Sequence, residues 1–109
     1  MNKEQLLSFK RLLNTITSSS CPSLINLHTH TIFSDGSLTP KQLIQQAISI
    51  GLQNISITDH HSINGYLEAN CFLNDNSILS NSINLWPGIE ISCLIHKCLV
   101  HILGYCFDP

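Results

Sequence analysis

Apolar and polar positions alternate with two different periods along this chain, and the changes of period mark its elements. Leu6, Leu7, Leu12 and Leu13 are interleaved with Lys3, Glu4, Lys10 and Arg11, an amphipathic pattern that predicts a helix over Met1–Thr15. The small polar run Thr17 to Cys21, closed by Pro22, reads as a linker. Ser23 to His30 holds the short apolar run Leu24, Ile25, Leu27, a strand candidate ending in two histidines. Thr39 followed by Pro40 is an N-cap with proline in the first helical turn; Leu43, Ile44, Ala47 and Ile48 then recur at helical spacing, and Gly51 stops the helix. Asn54 to Thr58 alternates Ile55 and Ile57 with Ser56 and Thr58 and runs into Asp59-His60-His61, again a strand ending in polar groups. Asn64 to Leu73 reads as a helix weakened by Gly65 and its asparagines, and Leu73 to Asn84, rich in Asn and Ser, as a loop. Leu85 to Ile91 and Cys98 to Tyr105 are the third and fourth strands, carrying Glu90 and His101.

Helix, then β-α-β-α-β-β, is an α/β order in which helices between strands build a parallel sheet. Closed parallel barrels run to about 250 residues, so the 109 residues here would supply less than half of one. Half a barrel has an open strand edge and an uncovered apolar face, and it is expected either to be a fragment or to complete itself with another subunit. Composition narrows the class: 43% hydrophobic and 11% charged residues describe a globular interior, and a formal charge of -2 gives no general attraction to polyanions. No stretch reaches about 18 consecutive apolar residues, and the N-terminus lacks a signal-peptide core, so the expectation is a soluble, cytoplasmic protein without a membrane partner. Five cysteines without a CxxC pair disfavour a zinc-thiolate site and predict reduced, mostly buried thiols.

Candidate chemistry gathers at the strand ends. His28 and His30 are two apart on a strand, so both side chains leave one face and can reach one cation. Alone, such a pair is as readily chance alternation. Asp35, His60, Glu90 and His101 also fall at or near strand ends, where β/α barrels assemble their active sites. The chain has only seven acidic residues and six histidines, and Asp35, Asp59, Glu90, His28, His30, His60 and His101 all sit in these places. Blander readings remain: Ser34-Asp35-Gly36 is a turn by itself, Asp59 suits a helix cap, and Glu90 or His101 could be exposed. His61 and His96 read as surface residues, His61 also as a weak candidate for substrate contact. There is no P-loop, dinucleotide glycine fingerprint or HExxH, and basic residues are too few for an extended nucleic-acid surface.

The segments His28-Thr29-His30-Thr31, Ser34-Asp35-Gly36-Ser37-Leu38-Thr39-Pro40, Ile57-Thr58-Asp59-His60, Pro87-Gly88-Ile89-Glu90-Ile91-Ser92 and Val100-His101-Ile102-Leu103-Gly104-Tyr105 resemble, in order and spacing, the successive motifs of the polymerase and histidinol phosphatase (PHP) family. The match runs from Leu24 to Tyr105 and is closer to the stand-alone phosphoesterases than to polymerase domains. The resemblance implies a partial PHP-type distorted (βα)7 TIM-like barrel, first half only, with residues 1–22 as N-terminal helix and linker and 23–109 as the N-terminal part of the PHP domain. It implies up to three divalent ions, Mn, Fe or Zn: one on His28, His30 and Glu90, a second on Asp35 and His60, a third shared by a bridging Glu90 and His101. Asp59 and Glu90 are the carboxylates given catalytic roles, Asp59 by orienting a neighbouring ligand. The implied reaction is hydrolysis of a phosphomonoester or nucleotide end by metal-activated water, with no side-chain nucleophile. The family's remaining ligands, a later histidine and an Asp-x-His pair, lie past Pro109, so the resemblance predicts a C-terminally truncated chain whose own activity is in question. The alternative is a non-catalytic remnant that binds metal or a partner through its open edge.

Overall fold

The computed structural model describes residues 2–108; Met1 and Pro109, the outer ends of the two expected segments 1–22 and 23–109, lie outside them. Helix α1 spans Lys3–Leu13. Asn2 caps it reciprocally with Gln5, the Gln5 N–H donating to Asn2 Oδ1 at 2.8 Å and the Asn2 N–H to Gln5 Oε1 at 3.0 Å, which satisfies two otherwise orphaned donors. Helix α2, Pro40–Ser49, begins with the same device between Thr39 and Gln42. Strands β1 (Ile25–Thr29) and β2 (Asn54–Ile57) flank it. Helix α3 covers Asn64–Asn74, and a one-turn helix α4, Ser77–Ser80, stands where the sequence reads as loop. Strands β3 (Asn84–Ile95) and β4 (Cys98–Tyr105) complete the chain.

The sheet order is β1-β2-β3-β4. β1, β2 and β3 run parallel, as helical crossovers require. β4, which follows β3 with no helix between, pairs antiparallel with it from Gly88↔Tyr105 to Ile95↔Cys98. The reason is the connection: only His96 and Lys97 link the two strands, both at positive φ (50° and 66°), the geometry of a two-residue hairpin turn. A parallel neighbour would need a dozen or more residues of crossover. β3 therefore continues past the expected Ile91 to Ile95.

The two faces of β2 show what positions the site. Ile55 and Ile57 point outward into a cluster with Ile44, Ala47, Leu52, Ala69, Leu73 and Ile83, the apolar side covered by α2 and α3. The alternate residues Asn54, Ser56 and Thr58 are buried on the inner side, each with a side-chain oxygen hydrogen-bonded. Asn54 Oδ1 accepts from Trp86 Nε1 at 3.0 Å and Asn84 Nδ2 at 3.2 Å, Ser56 Oγ donates to the Trp86 carbonyl at 2.9 Å, and Thr58 Oγ1 donates to the Thr29 carbonyl at 3.2 Å. In a flat sheet β1 and β4 would stand about 14 Å apart, three strand spacings. Instead the Tyr105 hydroxyl of β4 donates to the Leu27 carbonyl of β1 at 2.6 Å, so the sheet is curled into a half-barrel. Phe9 of α1 closes one end of it, 3% exposed and packed on Trp86 and Tyr105 with ring centroids 5.0 and 5.6 Å away.

The hairpin is only partly covered. Ile91, Ile95 and Ile102 on one of its faces and Leu94 and Leu99 on the other are exposed. The expectation of mostly buried thiols is overturned: all five cysteines are free, Cys21, Cys71 and Cys98 exposed and Cys93 and Cys106 half-buried, because Cys93 and Cys98 ride on this hairpin and Cys71 on the outer side of α3. Among the described residues no helix is long and apolar enough to cross a membrane.

Candidate metal centre

The curled sheet brings His28, His30, Asp35, His60, Glu90 and His101 to one end of its strands. His28 comes from β1, where one extra residue relative to β2 makes a bulge between Asn26 and Thr29, the kind of irregularity that re-aims side chains beside active sites. His30 and Asp35 belong to the following loop, His60 to the extension of β2, Glu90 to β3 and His101 to β4. Glu90 is at the middle, 5% exposed. Its Oε1 lies 2.8 Å from His28 Nε2, 3.0 Å from His30 Nε2 and 3.9 Å from His60 Nε2, and its Oε2 lies 3.3 Å from His101 Nδ1. Asp35 stands on the other side of His30 and His60, 3.2 Å from each.

Three groups of candidate ligand atoms result: His28, His30 and Glu90; His30, Asp35 and His60; His60, Glu90 and His101, each with its atoms within 4.8 Å of one another. The donors fit a metal ion. Two ligands about 2.1 Å from a common cation are separated by about 3.0 Å at an octahedral corner and about 3.4 Å at a tetrahedral one, and the closest nitrogen-oxygen distances here, 2.8 to 3.3 Å, lie in or near that range. Imidazole with carboxylate is a donor set suited to divalent transition ions. The first group coincides with the one implied by the family motifs. The other two take in a further histidine each, His30 beside Asp35 and His60, and His60 beside Glu90 and His101, which linear spacing could not reveal.

The local charge follows from the same contacts. The hydrogen bond from His28 holds the Glu90 carboxyl below its ordinary value of 4.5; burial works against this, and His60, His28 and His30 add to it. Desolvation would raise Asp35, but His30 and His60 together outweigh it and hold the carboxyl below its ordinary 3.8.

Asp59 is buried beneath the centre at 0% exposure. It makes no direct hydrogen bond to a candidate histidine ligand. Its carboxylate instead accepts from the Thr31 N–H at 2.6 Å, the Thr31 hydroxyl at 2.7 Å and the Ser34 hydroxyl at 2.6 Å. These bonds fold the loop from His30 to Asp35 back over β2, and Ser34 Oγ then lies 3.3 Å from His30 Nδ1. Asp59 is thus linked to the candidate ligand His30 only through Thr31 and Ser34. Gly65 of α3 is required here, since a Cβ would collide with Asp59 Oδ2 and come within 2.9 Å of Thr31 Oγ1.

A serine beside a histidine does occur: Ser92 Oγ is 2.9 Å from His101 Nδ1. Glu90 Oε2 approaches the same nitrogen at 3.3 Å, whereas a nucleophilic relay needs the base and the orienting acid on different ring nitrogens. The pair orients His101 and does not form a serine nucleophile. His96 lies in the hairpin turn, exposed as expected. His61 is also exposed, but its ring accepts from the Ser92 N–H at 3.2 Å, an engagement that no periodicity signalled.

Known proteins resemble this chain in sequence, and solved structures resemble it in fold. The chain is 33% identical over 85 residues to the 5'-3' exoribonuclease Rnm of Escherichia coli, a match covering 78% of this chain and 28% of the relative. It is 33% identical over 85 residues to a 3',5'-nucleoside bisphosphate phosphatase of Chromobacterium violaceum, with the same coverages. The chain thus spans about 28% of the length of these relatives. Among solved structures it is similar to one from Bifidobacterium adolescentis put forward as a metal-dependent phosphoesterase, with a TM-score of 0.68 and 34% identity over 81% of this chain and 29% of that one. A Chromobacterium violaceum amidohydrolase with bound sulfate and no metal gives a TM-score of 0.68 and 33% identity over 78% of this chain and 28% of that one. The sequence pattern of the PHP domain matches residues 26–102, more than half of the chain and every candidate ligand in it, and the chain therefore belongs to the PHP domain family.

Proposed function

We propose that this chain carries the ligand-bearing face of a metal-dependent phosphoesterase that hydrolyses a phosphomonoester or nucleotide phosphate. The observation behind the reading is the overlap of the three ligand groups, in which every pair of groups shares one residue: His30, His60 or Glu90. Of the shared residues only Glu90 could serve two ions, through Oε1 and Oε2, since each neutral imidazole offers a single lone pair; a carboxylate placed to be shared suits neighbouring cations better than one isolated structural ion. When bound, divalent ions of the Mn, Fe or Zn kind supply Lewis acidity, screening the phosphate's charge and acidifying a water.

The chain's own residues do the rest. Glu90 and Asp35 are the only carboxylates in the three groups, so about two divalent ions leave the centre net positive and able to receive a dianionic phosphate. Asp59, with Thr31 and Ser34, fixes the loop that carries His30 and Asp35; Ser92 orients His101. The substrates named for the relatives combine a phosphate ester with a nucleoside, so nucleoside bisphosphates and the 5' ends of short RNAs are the first to test. Residues 23–109 would form the PHP part, with residues 1–22 as the helix and segment that lead into it.

A second reading, a metal- or partner-binding module without catalysis, is favoured by the openness of the centre. The His28 and His101 side chains are 51% and 49% exposed, and a site that admits bulk water holds substrate loosely. Phosphatase assay of the purified chain against p-nitrophenyl phosphate and a nucleoside 3',5'-bisphosphate with Mn added, beside a His28→Ala/His30→Ala control, separates the two. Metal-dependent turnover lost in the control supports the hydrolase. Tight Mn binding by calorimetry without turnover supports a metal-binding module, and neither binding nor turnover rejects both the hydrolase and the metal-binding module.

A further inference from the structure

β2 ends at Ile57, yet its hydrogen bonding to β3 continues beyond that point. The Glu90 N–H donates to the Asp59 carbonyl at 3.1 Å, and the His61 N–H donates to the Glu90 carbonyl at 2.9 Å, which makes His60 the bridge partner of Glu90. In a regular parallel ladder the next donor, the Ser92 N–H, would be received by the carbonyl of His61. That carbonyl is out of place, because His61 adopts φ 53° and turns the chain away toward α3. The imidazole takes over, and Ser92 N–H donates to His61 Nε2 at 3.2 Å.

We propose that His61 is a positioning residue of the metal centre, its ring standing in for a strand carbonyl to hold the β3–β4 hairpin in register with β2. The proposal rests on the metal-centre reading above. Past Glu90, β3 has only β4 as a strand neighbour, and β4 is the edge of the sheet. Among the described residues the Ser92–His61 bond is the last hydrogen bond of β3 to the β2 side. Glu90 and Ser92 are alternate residues of one strand and face the centre together. Glu90 belongs to two of the three ligand groups, and Ser92 sets the ring of His101. A hairpin free to swing at this level would move Glu90 and His101 relative to His28, His30 and His60, and partners behind metal ligands typically change affinity about 10- to 100-fold when lost. Because the Ser92 N–H can only donate, His61 must carry its proton on Nδ1 and its lone pair on Nε2.

Two variants with comparable backbone cost at positive φ separate this role from a general effect on folding. His61→Gln keeps an acceptor at about the reach of Nε2, and His61→Leu removes it. Mn titration calorimetry on the whole chain should show His61→Leu weakened about 10- to 100-fold and His61→Gln within about threefold of the parent by the same reasoning. In the metal-free parent, nitrogen-15 correlation spectra should show His61 as the Nδ1–H tautomer, and the Ser92 amide should shift in His61→Leu far more than in His61→Gln. Unchanged Mn affinity in His61→Leu, equal losses in both variants, or an Nε2–H tautomer in the parent each overturns the proposal. If the parent binds no Mn, the metal-centre reading fails on its own, while the tautomer and the Ser92 amide still decide whether His61 holds the hairpin.

Discussion

Replacing Phe9 by alanine tests whether α1 is part of the folded unit or a segment that precedes it. Phe9 is the only residue of α1 that is buried, at 3% exposure, and its ring fills the end of the half-barrel against Trp86 and Tyr105. Truncation removes nearly all of the phenyl surface from a site whose walls, strands β3 and β4, cannot easily collapse. Core Phe→Ala changes cost about 3–5 kcal/mol, and the two ring contacts, lost with it, account for part of that through pair terms of about 0.5–1.5 kcal/mol each. A domain of this size holds about 5–15 kcal/mol in total. With a urea m-value near 2 kcal/mol/M, the unfolding midpoint should fall by about 1.5–2.5 M. Leu7→Ala is the control: Leu7 lies on the exposed side of the same helix, and its loss should stay within about 0.5 kcal/mol. Equilibrium urea unfolding followed by tryptophan fluorescence reads both, since Trp86 is itself a partner of Phe9. A Phe9→Ala midpoint within about 0.3 M of the parent, a shift worth about 0.6 kcal/mol at that m-value, would refute the docking of α1.

Three further outcomes follow from the centre and the hairpin. Glu90→Gln should weaken Mn binding in calorimetry more than Asp35→Asn, because Glu90 serves two ligand groups and Asp35 one; equal losses would count against the shared position of Glu90. The Glu90 carboxyl is held below its ordinary 4.5 in the folded state, so the unfolded state binds more protons between the two values, and this contribution to stability is present above pH 4.5 and is lost as pH falls through the folded value. Metal-free urea midpoints measured from pH 6 to pH 3 should therefore fall less steeply in Glu90→Gln than in the parent, and parallel profiles would contradict the assignment. Changing the turn His96-Lys97 to Asn-Gly should raise stability by about 1 kcal/mol, since both residues sit at positive φ, where Asn and Gly are favoured; a lower melting temperature would mean the turn is held by something other than its own geometry.

What could be read from the amino acids alone was whatever depends on local spacing. The period of two that puts His28 and His30 on one face, the Thr39-Pro40 cap, and the strand-to-ligand junction at Asp59-His60 are properties of neighbouring residues, and the strands and helices follow them closely. The family motifs carried the grouping of His28 and His30 with Glu90, which the fold brings within 3.0 Å of that carboxylate. Contacts between distant segments were not legible, because they depend on the curl of the sheet and on strand register. The curl sets Tyr105 against Leu27 and gives Phe9 its socket. The two-residue turn makes β4 antiparallel and leaves an exposed apolar hairpin, on which Cys93 is half-buried and Cys98 exposed where buried thiols were expected. Asp59 looks from sequence like a partner of a ligand histidine, and only the folded loop shows its carboxylate bonded to Thr31 and Ser34 instead. His61 looks like a surface residue because exposure and engagement are separate properties: its ring is open to solvent on one side and completes a ladder on the other. Local periodicity determined which residues could reach a metal, and tertiary packing decided which of them meet.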